Sequence, residues 1–537
     1  MALKRRLHPL IFGCVVFCMV VSATSGNVPA QSRQMKKSSS RGRATKGNFA
    51  ETPDVTRFRA RVEAELAAPG PNKGYLGILV TDAGTGEVLF ARNADGYFMP
   101  ASDTKLFTTA LALATLGPDY RVKTTVASSG TIDASGVLNS DLVLIGGGDA
   151  NLSNRKFPFE KKEERDGPSE KALAEFADAV AARGVKEITG DVVADDSLFQ
   201  PERFPSGWAI DDMQWSYGAA VSAIAVNDNS FTIELWPGGR EGEPARYEAG
   251  VAADFYMIAN SVRTSAAGSE EKLAATREPG TRVIRISGTM PAGAHPRVLN
   301  LAIEQPAEYA AALLARLLAL RGVKIDGDAR ARHAGDPPLA AAPSQTILAE
   351  RVSQPLSEDV RLTNKNSENL HAELMLLLAA HEKAGATSYE DALKFAAVFF
   401  KAAGIADGDV LLSDGSGLSR KDLITPRAIV QILRFAAAQP WGETYRSSLP
   451  VAGEDGTLSE RMKNSPGAGR VSAKTGTIGR ANALSGYATT VSGEHLIFSI
   501  LWNNNNLHAQ DANKVIDAIA VAMTEELGTA KPGKKRK

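Results

Sequence analysis

The order of hydrophobic and polar positions along the chain predicts a mixture of helices and strands from one end to the other. An apolar run over residues 75–82, a Gly-rich turn and a second run over residues 87–91 predict a β-hairpin. After Pro100 the pattern changes to that of a helix over residues 105–116. Further segments with the helical period cover residues 56–68, 170–183, 307–320, 367–381, 389–403, 425–438 and 509–527. Further strand patterns, broken by Gly and Pro, cover residues 136–138, 141–145, 190–194, 483–491 and 496–502.

The first residues have the pattern of an export signal rather than of a folded element. Basic residues at positions 4–6 precede an apolar run over residues 10–21, and small residues follow it. This arrangement is typical of a cleaved secretory signal over residues 1–23, because a membrane-spanning helix needs about 20 apolar residues. An uncleaved anchor is the alternative. Lipid attachment at Cys14 or Cys18 is less favoured, because both cysteines lie close behind bulky phenylalanines.

Composition narrows the class of protein. Hydrophobic residues make up 44% of the 537-residue chain, which is enough for a large core. Basic and acidic residues both number 61, so the bulk charge gives no reason to expect nucleic acid or an anionic membrane as a partner. The two cysteines lie in the leader, so the exported chain is predicted to lack cysteine catalysis, thiolate metal sites and disulfides. The seven histidines show no metal-ligand spacing, and we expect neither a metal nor another cofactor.

A serine and a lysine stand three residues apart at the start of the helix predicted after Pro100. Residues at this spacing share one face of a helix, which places the Ser102 hydroxyl beside the Lys105 amine. A hydroxyl needs a neighbouring base to become a nucleophile, and a lysine can serve if nearby positive charge lowers its pKa. Ser102 is therefore the candidate nucleophile and Lys105 the candidate base, although a surface pair at this spacing is common.

Ser367-Glu-Asn369 is the second motif, and two interpretations of it stay open. The Ser367 hydroxyl can relay a proton to a departing amine, and the Asn369 amide can both donate to and accept from a substrate. Because Ser367 precedes an apolar helix, it could equally be the N-cap of that helix.

Lys474-Thr-Gly-Thr477 is the third motif, and it stands just before a strong hairpin pattern. The Lys474 charge and the hydroxyls of Thr475 and Thr477 suit the binding of a terminal carboxylate. Gly476 lets a substrate approach the backbone closely. Lys474 also offers the positive charge expected to lower the pKa of Lys105. A chance turn is the alternative for this triplet taken alone.

These three motifs in this order are the signature of active-site serine penicillin-binding proteins and related β-lactamases. More specific flanking segments are Pro100–Leu106, Leu116–Tyr120, Gly146–Asp149, Gly190–Asp191, Asp414–Ser419 and Ala473–Thr477. On the basis of these segments and the three motifs, residues 55–525 resemble the D-alanyl-D-alanine carboxypeptidase/endopeptidase family. This family comprises the low-molecular-mass class C penicillin-binding proteins. The long stretch between Ser102 and Ser367 separates the chain from class A β-lactamases, in which this gap is far shorter.

The resemblance implies a mixed α/β (α+β) fold. Its core would be a penicillin-binding-protein/β-lactamase-like transpeptidase domain with a five-stranded antiparallel sheet and two inserted, mainly β domains. The implied division is a signal peptide at 1–23, a disordered linker at 24–50, the catalytic domain at 51–120 and 345–530, inserted domain II at 121–237 and 301–344, inserted domain III at 238–300 and a basic tail at 531–537.

The resemblance also implies further residues near the substrate. It places Ser416 of Asp414-Gly-Ser-Gly beside the active site, where a plain Gly-rich turn is the alternative. An acidic group of an inserted domain and a basic group near the nucleophile would bind the side chain of the third stem-peptide residue. Asp195, or Asp196 in its place, and Arg420 are the candidates, with ordinary surface charges as the alternative.

The implied function is that of an exported, periplasmic serine peptidase acting on peptidoglycan through an acyl-enzyme on Ser102. The backbone N–H groups of Ser102 and Thr477 are the candidate oxyanion donors. The expected partners are peptidoglycan peptides and β-lactams, and no stable membrane anchor is expected. A β-lactamase, a D-aminopeptidase with the same motifs and a non-catalytic wall-binding protein are the alternatives.

Overall fold

The computed structural model describes residues 52–67, 73–337 and 346–528 of the chain. The predicted signal peptide at 1–23, the linker at 24–50 and the basic tail at 531–537 lie outside the described residues. Over the described ranges, no helix is both long and apolar enough to cross a membrane.

The hydrophobic pattern located most of the longer elements to within one helical turn. The α-helices are α1 (Pro53–Ala67), α2 (Lys105–Leu116), α3 (Lys171–Ala182), α4 (Pro306–Ala319), α5 (Leu356–Asn366), α6 (Asn369–Ala384), α7 (Tyr389–Ala402), α8 (Pro426–Ala437), α9 (Gly442–Ser447) and α10 (Ala509–Glu526).

The strands are β1 (Tyr75–Asp82), β2 (Val88–Arg92), β3 (Lys123–Ser128), β4 (Val137–Leu138), β5 (Leu142–Ile145), β6 (Asp149–Leu152), β7 (Glu187–Ile188), β8 (Val192–Asp195), β9 (Ile224–Val226), β10 (Ser230–Trp236), β11 (Arg246–Glu248), β12 (Met257–Asn260), β13 (Arg263–Ser265), β14 (Lys272–Arg277), β15 (Val283–Pro291), β16 (Arg297–Ala302), β17 (Lys324–Ile325), β18 (Ala329–Arg332), β19 (Thr346–Val352), β20 (Val410–Leu411), β21 (Leu423–Ile424), β22 (Val471–Ile478), β23 (Ala481–Thr489) and β24 (His495–Asn503).

A five-stranded sheet joins the beginning and the end of the described chain. Its strand order is β2-β1-β24-β23-β22, and every neighbouring pair is antiparallel, as expected from the sequence. Tyr75 lies opposite Asn503, and Lys474 lies opposite Ser485. Strand β22 is an edge strand, and its first residues pair with residues 450–452. Past these residues no other strand of the described chain pairs with its outer side, and such an edge can pair with another extended chain.

Helices cover both faces of this sheet. On one face, α1 and α10 pack in an apolar cluster that includes Phe58, Trp502 and Ile516. On the other face, α2, α6 and α8 pack in a second cluster that includes Phe107 and Ile429. The two distant parts of the chain therefore share one core, and this sharing sets the position of the start of α2 relative to β22.

Residues 123–352 form a strand-rich segment between these two parts, so the fold is mixed α/β. One sheet has the order β18-β8-β5-β3-β19, and smaller sheets have the orders β11-β10-β16 and β12-β15-β13, with β14 also paired to β15. Strand β19 pairs with β3, so residues 346–352 belong to the same sheet as residues 123–128. The domain boundaries stay a prediction.

Candidate active site

The turn that carries Ser102 is held in an uncommon conformation by its neighbours. Residues Ala101–Thr104 form a single 3₁₀ turn that leads directly into α2. Ala101 has a φ of 50°, in the left-handed region that residues with a side chain seldom adopt. A Cβ on Gly476 would lie 2.7 Å from the Pro100 carbonyl oxygen, so this glycine lets β22 lie directly against the turn.

Lys105 lies beneath the Ser102 hydroxyl with three polar contacts around its amine. Its Nζ is 3.0 Å from Ser102 Oγ, 2.6 Å from Asn369 Oδ1 and 2.8 Å from the Ser416 carbonyl oxygen. A neutral amine has two N–H groups and one lone pair. Because the amide and carbonyl oxygens can only accept hydrogen bonds, they take the two N–H groups. The lone pair is then left for the Ser102 hydroxyl proton.

Burial sets the charge state of Lys105. The side chain is fully buried, and burial lowers its pKa to about 8 against the attraction of Asp414 and Glu373. The neutral amine therefore becomes the major form at mildly alkaline pH. Loss of water, rather than the charge of Lys474, is the main cause of the shift, which corrects the electrostatic reason inferred from the sequence.

Lys474 lies on the edge strand β22 and is also fully buried. Its Nζ donates to Ser367 Oγ and to the Thr475 carbonyl oxygen, both at 2.9 Å. Burial, reinforced by repulsion from Lys105, lowers its pKa well below the usual value. The buried carboxyl of Asp103 attracts both amines, and burial raises its own pKa to about 7.

Ser367 lies in the turn between α5 and α6 and does not cap α6. Its φ is 66°, in the left-handed region. The residue in the N-cap position of α6 is Glu368, whose side chain makes no capping hydrogen bond. The Ser367 hydroxyl instead faces Lys474. Asn369 begins α6 and donates from Nδ2 to the Tyr217 carbonyl oxygen at 2.7 Å, so its amide joins this segment to the cleft.

The Asp414-Gly-Ser-Gly segment forms a buried turn behind Lys105. Asp414 accepts hydrogen bonds from Gly417 N–H at 2.7 Å and from Trp208 Nε1 at 2.8 Å. Ser416 offers its carbonyl oxygen to Lys105, whereas its hydroxyl donates to Asp414 at 3.3 Å. The predicted substrate-binding role of Ser416 is therefore corrected: its hydroxyl points into the protein, and its backbone supports the lysine.

Arg420 lies beside the nucleophile, as expected, and its partner is Asp212. Arg420 Nη1 donates to Asp212 Oδ2 at 2.6 Å. The Tyr217 hydroxyl donates to the other oxygen of the same carboxylate at 3.0 Å. An acid from the strand-rich segment and a base from the part of the chain after it thus face the cleft together.

The acidic candidate Asp195 is corrected by these contacts. Asp195 ends β8 and accepts from Arg332 Nη1 at 2.8 Å. Asp196 accepts from the Ser222 hydroxyl at 2.8 Å and also contacts His333. Both carboxylates are engaged within the strand-rich segment, so neither meets Arg420. The residues around Asp212 carry no pattern that distinguishes it from a surface aspartate, which is why sequence reasoning missed it.

A cleft of about 340 Å³ is lined by several of the site residues predicted from the sequence. The predicted residues that line it are Ser102, Ser367, Asn369, Arg420 and Thr477. Residues missed by the sequence that also line it are Asp212, Tyr217, Leu418 and Ile478.

The other predicted residues lie next to this lining. The two buried lysines lie behind it, and Gly476 lies where β22 contacts the Ser102 turn. The Thr475 hydroxyl lies 2.8 Å from that of Thr457.

Comparisons of the sequence identify related proteins. The sequence profile of the D-Ala-D-Ala carboxypeptidase 3 (S13) family matches residues 58–526. A D-alanyl-D-alanine carboxypeptidase of Actinomadura sp. (strain R39) is 36% identical over 493 residues, covering 89% of this chain and 86% of the relative. The D-alanyl-D-alanine carboxypeptidase DacB of Haemophilus influenzae is 26% identical over 446 residues, covering 81% of this chain and 86% of the relative.

A comparison of structures finds the same fold. Penicillin binding protein 4 (dacB) from Haemophilus influenzae superimposes with a TM-score of 0.73 at 23% identity, covering 87% of this chain and 97% of that one. A second structure of that protein, complexed with a β-lactam, superimposes with a TM-score of 0.68 at 22% identity, covering 87% and 98%.

Proposed function

Because the chain belongs to the D-Ala-D-Ala carboxypeptidase 3 (S13) family, we propose that its cleft hydrolyses D-alanine-terminated stem peptides by acyl transfer to Ser102. The protein is a serine-type D-Ala-D-Ala carboxypeptidase. The arrangement around Lys105 carries the assignment of the site: one buried amine faces two acceptor oxygens and the hydroxyl of Ser102. That set of contacts is what a general base needs in order to activate a serine.

In the first step Lys105 takes the hydroxyl proton while Ser102 Oγ bonds to the carbonyl carbon of the penultimate D-alanine. The N–H groups of Ser102 and Thr477 stabilise the resulting oxyanion. Backbone donors cost no reorganisation when the charge develops, so this stabilisation acts mainly on the transition state.

In the second step the tetrahedral intermediate expels the terminal D-amino acid. The nitrogen of the leaving group needs a proton, and the Ser367 hydroxyl, 2.9 Å from Lys474 Nζ, is placed to relay to it the proton that Lys105 took from Ser102. Lys105 is then neutral again. The Lys474 amine and the Thr475 and Thr477 hydroxyls bind the terminal carboxylate. Water then attacks the acyl-enzyme, one of its protons passes to Lys105 and from there to Ser102 Oγ, and the shortened peptide leaves with the Ser102 hydroxyl restored.

β-Lactams fit the same sequence of steps with one difference. Opening of the lactam ring acylates Ser102, but the leaving nitrogen stays tethered to the acyl group and remains in the cleft. Water then reaches the ester poorly, so we expect the penicilloyl-enzyme to persist. Rapid turnover of penicillin would instead favour a β-lactamase.

The Asp212–Arg420 pair suits the side chain of the third stem-peptide residue. A side chain that ends in both an ammonium and a carboxylate, such as that of diaminopimelate, can bind the aspartate through one group and the arginine through the other. The 2.6 Å contact between Asp212 and Arg420 is then exchanged for two contacts to substrate. This exchange limits the cost of binding, because neither charge is left unpaired.

Labelling with a fluorescent penicillin tests the site assignment. We expect Ser102→Ala to lose covalent label, because among the contacts of the described residues no other hydroxyl bonds to the Lys105 amine. Ser169→Ala, a change at a partly exposed serine before α3, should label like the wild type. Undiminished labelling of Ser102→Ala would overturn the assignment.

The products of purified muropeptides separate the related activities. Release of free D-alanine from monomers supports the carboxypeptidase reaction, and conversion of cross-linked dimers to monomers would add endopeptidase activity. Release of an N-terminal D-amino acid from small peptides would favour the aminopeptidase instead.

Export to the periplasm is part of the proposal, since the substrate lies outside the cytoplasmic membrane. The basic start and the apolar run within residues 1–23 support it. The intact mass of the protein recovered from the periplasm should show loss of this segment. A full-length chain retained in the cytoplasmic fraction would contradict export.

A further inference from the structure

A group of buried charges surrounds the turn that carries Ser367, and its members come from separate parts of the fold. Arg155 follows β6 in the strand-rich segment, and its side chain is only 2% exposed. Its Nη1 donates to Asp228 Oδ1 at 2.5 Å, and its Nη2 lies 3.4 Å from Glu368 Oε1. Glu368 is the middle residue of the Ser367–Asn369 turn, so this contact joins the strand-rich segment to the second motif.

His371 links the same turn to the helix before it. His371 lies on α6 and is fully buried. Its Nδ1 lies 2.5 Å from Asp359 Oδ1 on α5, and its Nε2 lies 3.0 Å from Asp228 Oδ1. Burial opposes a charge on this ring, but the carboxylates of Asp359 and Asp228 outweigh it and raise the pKa to about 10. The imidazolium can therefore donate to both carboxylates at neutral pH.

The turn between the two helices needs such support. Ser367 has a φ of 66° and a ψ of 37°, a left-handed conformation that costs free energy for a residue with a side chain. In this conformation the chain leaves α5, presents the Ser367 hydroxyl to Lys474 and enters α6 with Asn369 against Lys105. Local sequence offers no glycine here to relieve the strain, so contacts from outside the turn must hold it.

We propose that Arg155 is a positioning residue: together with Asp228 it holds Glu368 and His371, and thereby fixes the Ser367–Asn369 turn against the two lysines. The inference rests on the proposed function, in which Ser367 and Asn369 act in the cleft. It assigns to the strand-rich segment a part in catalysis that is separate from contact with substrate. We call Arg155, Asp228, Asp359, Glu368 and His371 the clasp.

Global stability is a weaker explanation for the clasp. Moving charges out of water costs about as much as their pairing returns, so buried ion pairs seldom add much net stability. Their attested advantage is that they specify one geometry, because a displaced partner leaves a buried charge unpaired. The clasp has this character, and it contacts the middle residue of the motif directly.

The rate of acylation by a fluorescent penicillin tests the clasp, with Arg155→Met as the main variant. Small misplacements of catalytic groups cost large factors in rate, so we expect the acylation rate constant to fall by about ten-fold or more. Arg155→Lys should recover part of the loss, because an ammonium can reach one of the carboxylates.

Arg165→Met is the matched control. Arg165 also pairs with Asp228, at 3.0 Å, and its side chain is 35% exposed. Its other contacts are with Glu163, Asn154 and Asn227, and none of the contacts of the described residues joins it to Glu368 or His371. Its removal therefore takes a charge from the same cluster while leaving the contact between Arg155 and Glu368 in place. We expect its acylation rate constant to stay within about two-fold of the wild type, as for most exposed pairs.

A double-mutant cycle keeps the test decisive if Arg155→Met folds poorly. Glu368→Gln preserves size and removes the charge that faces Arg155. The combined variant with Arg155→Lys should lose less rate than the sum of the two single changes, because both act through one contact. Additive losses would overturn the role of the Arg155–Glu368 contact.

The experiments distinguish an error in the role proposed for the clasp from an error in the proposed function. Wild-type acylation by folded Arg155→Met, while Ser102→Ala and Ser367→Ala are inactive, would overturn the clasp and leave the proposed function standing. Persistent labelling of Ser102→Ala would overturn the proposed function itself. A melting curve of each variant establishes that the compared proteins are folded.

Discussion

Lys105 differs from most lysines because its amine has no access to water. The carboxyl groups behind Lys105 do not stabilise its ammonium form enough to bring its pKa back to the usual value. Burial raises the pKa of Glu373 to about 8, so Glu373 is largely protonated near neutral pH. Burial also raises the pKa of Asp422 well above its usual range. A lysine in such surroundings gives up its proton far more easily than one in water, which suits it to activate Ser102.

The pH dependence of acylation follows from this residue. A base must be neutral to accept a proton, and the pKa of Lys105 is lowered to about 8. The acylation rate constant should therefore rise with pH and level off above about 8, rather than above about 10 as for a lysine in water. Stopped-flow measurement with a fluorescent penicillin over a pH series checks the profile.

Lys105→Arg is the control for this profile. A guanidinium keeps its proton throughout the measured range, so acylation should be slow and should show no rise near pH 8. A wild-type rate that is flat or falls between about pH 6 and 8 would contradict Lys105 as the base.

The element that matters most for the cleft is strand β22, which packs directly against the turn before α2. Gly476 allows this packing, because a Cβ there would lie 2.7 Å from the Pro100 carbonyl oxygen and 3.1 Å from Ala101 Cβ. Both obstacles belong to a tightly built turn that cannot move aside cheaply. The strand is thus held directly against the turn, as the proposed oxyanion site of the Thr477 and Ser102 N–H groups requires.

Gly476→Ala should therefore separate β22 from the turn. Overpacking of this kind typically costs about 1–3 kcal/mol of unfolding free energy, and the widened oxyanion site should slow acylation by about 100-fold. Urea denaturation and penicillin acylation measure the two effects. Gly84→Ala, where the nearest atom would be 3.5 Å away, should leave both unchanged. Normal acylation by Gly476→Ala would show that the close approach is not required.

The molecule as a whole brings the strand-rich segment against the catalytic sheet and its helices at the cleft. Trp208 of the strand-rich segment donates to buried Asp414, which in turn supports the carbonyl that holds Lys105. Tyr217 of the same segment accepts from Asn369. Two residues far apart from the motifs in sequence thus complete the hydrogen bonds of the motif residues.

Trp208→Phe should lower both the free energy of unfolding and the rate of acylation. The change keeps most of the ring but removes one donor to Asp414 Oδ2, which keeps its bond from the Ser419 N–H. The loss of one such hydrogen bond costs about 1 kcal/mol. Urea denaturation should show this loss, and acylation should slow because the turn behind Lys105 loosens. Trp441→Phe, a change of equal size in the aromatic row of Phe435 and Tyr445, is the control. If Trp208→Phe and Trp441→Phe had equal free energies of unfolding, the hydrogen bond from Trp208 to Asp414 would not matter for stability.

Helix prediction worked where burial follows the hydrophobic period and failed where it does not. The pattern predicts α2 because its buried face is apolar. It does not predict α5, since the buried face of that helix includes the polar Thr363, Asn364 and Lys365. Lys365 is satisfied by Asp455, ninety residues further along the chain. A helix with a buried polar face of this kind can be predicted only when the distant partners of its polar side chains are known.

The sequence by itself determined the three motifs, the family they resemble and most of the regular elements, because helical and strand periods and the spacing of Ser102 and Lys105 depend only on near neighbours in the chain. Tertiary structure alone decided that Asp212 rather than Asp195 faces Arg420, and that the Ser416 hydroxyl points inward. It also decided that loss of water lowers the pKa of Lys105. Each of these depends on which distant segments pack together and how completely they exclude solvent, and a local pattern does not encode that.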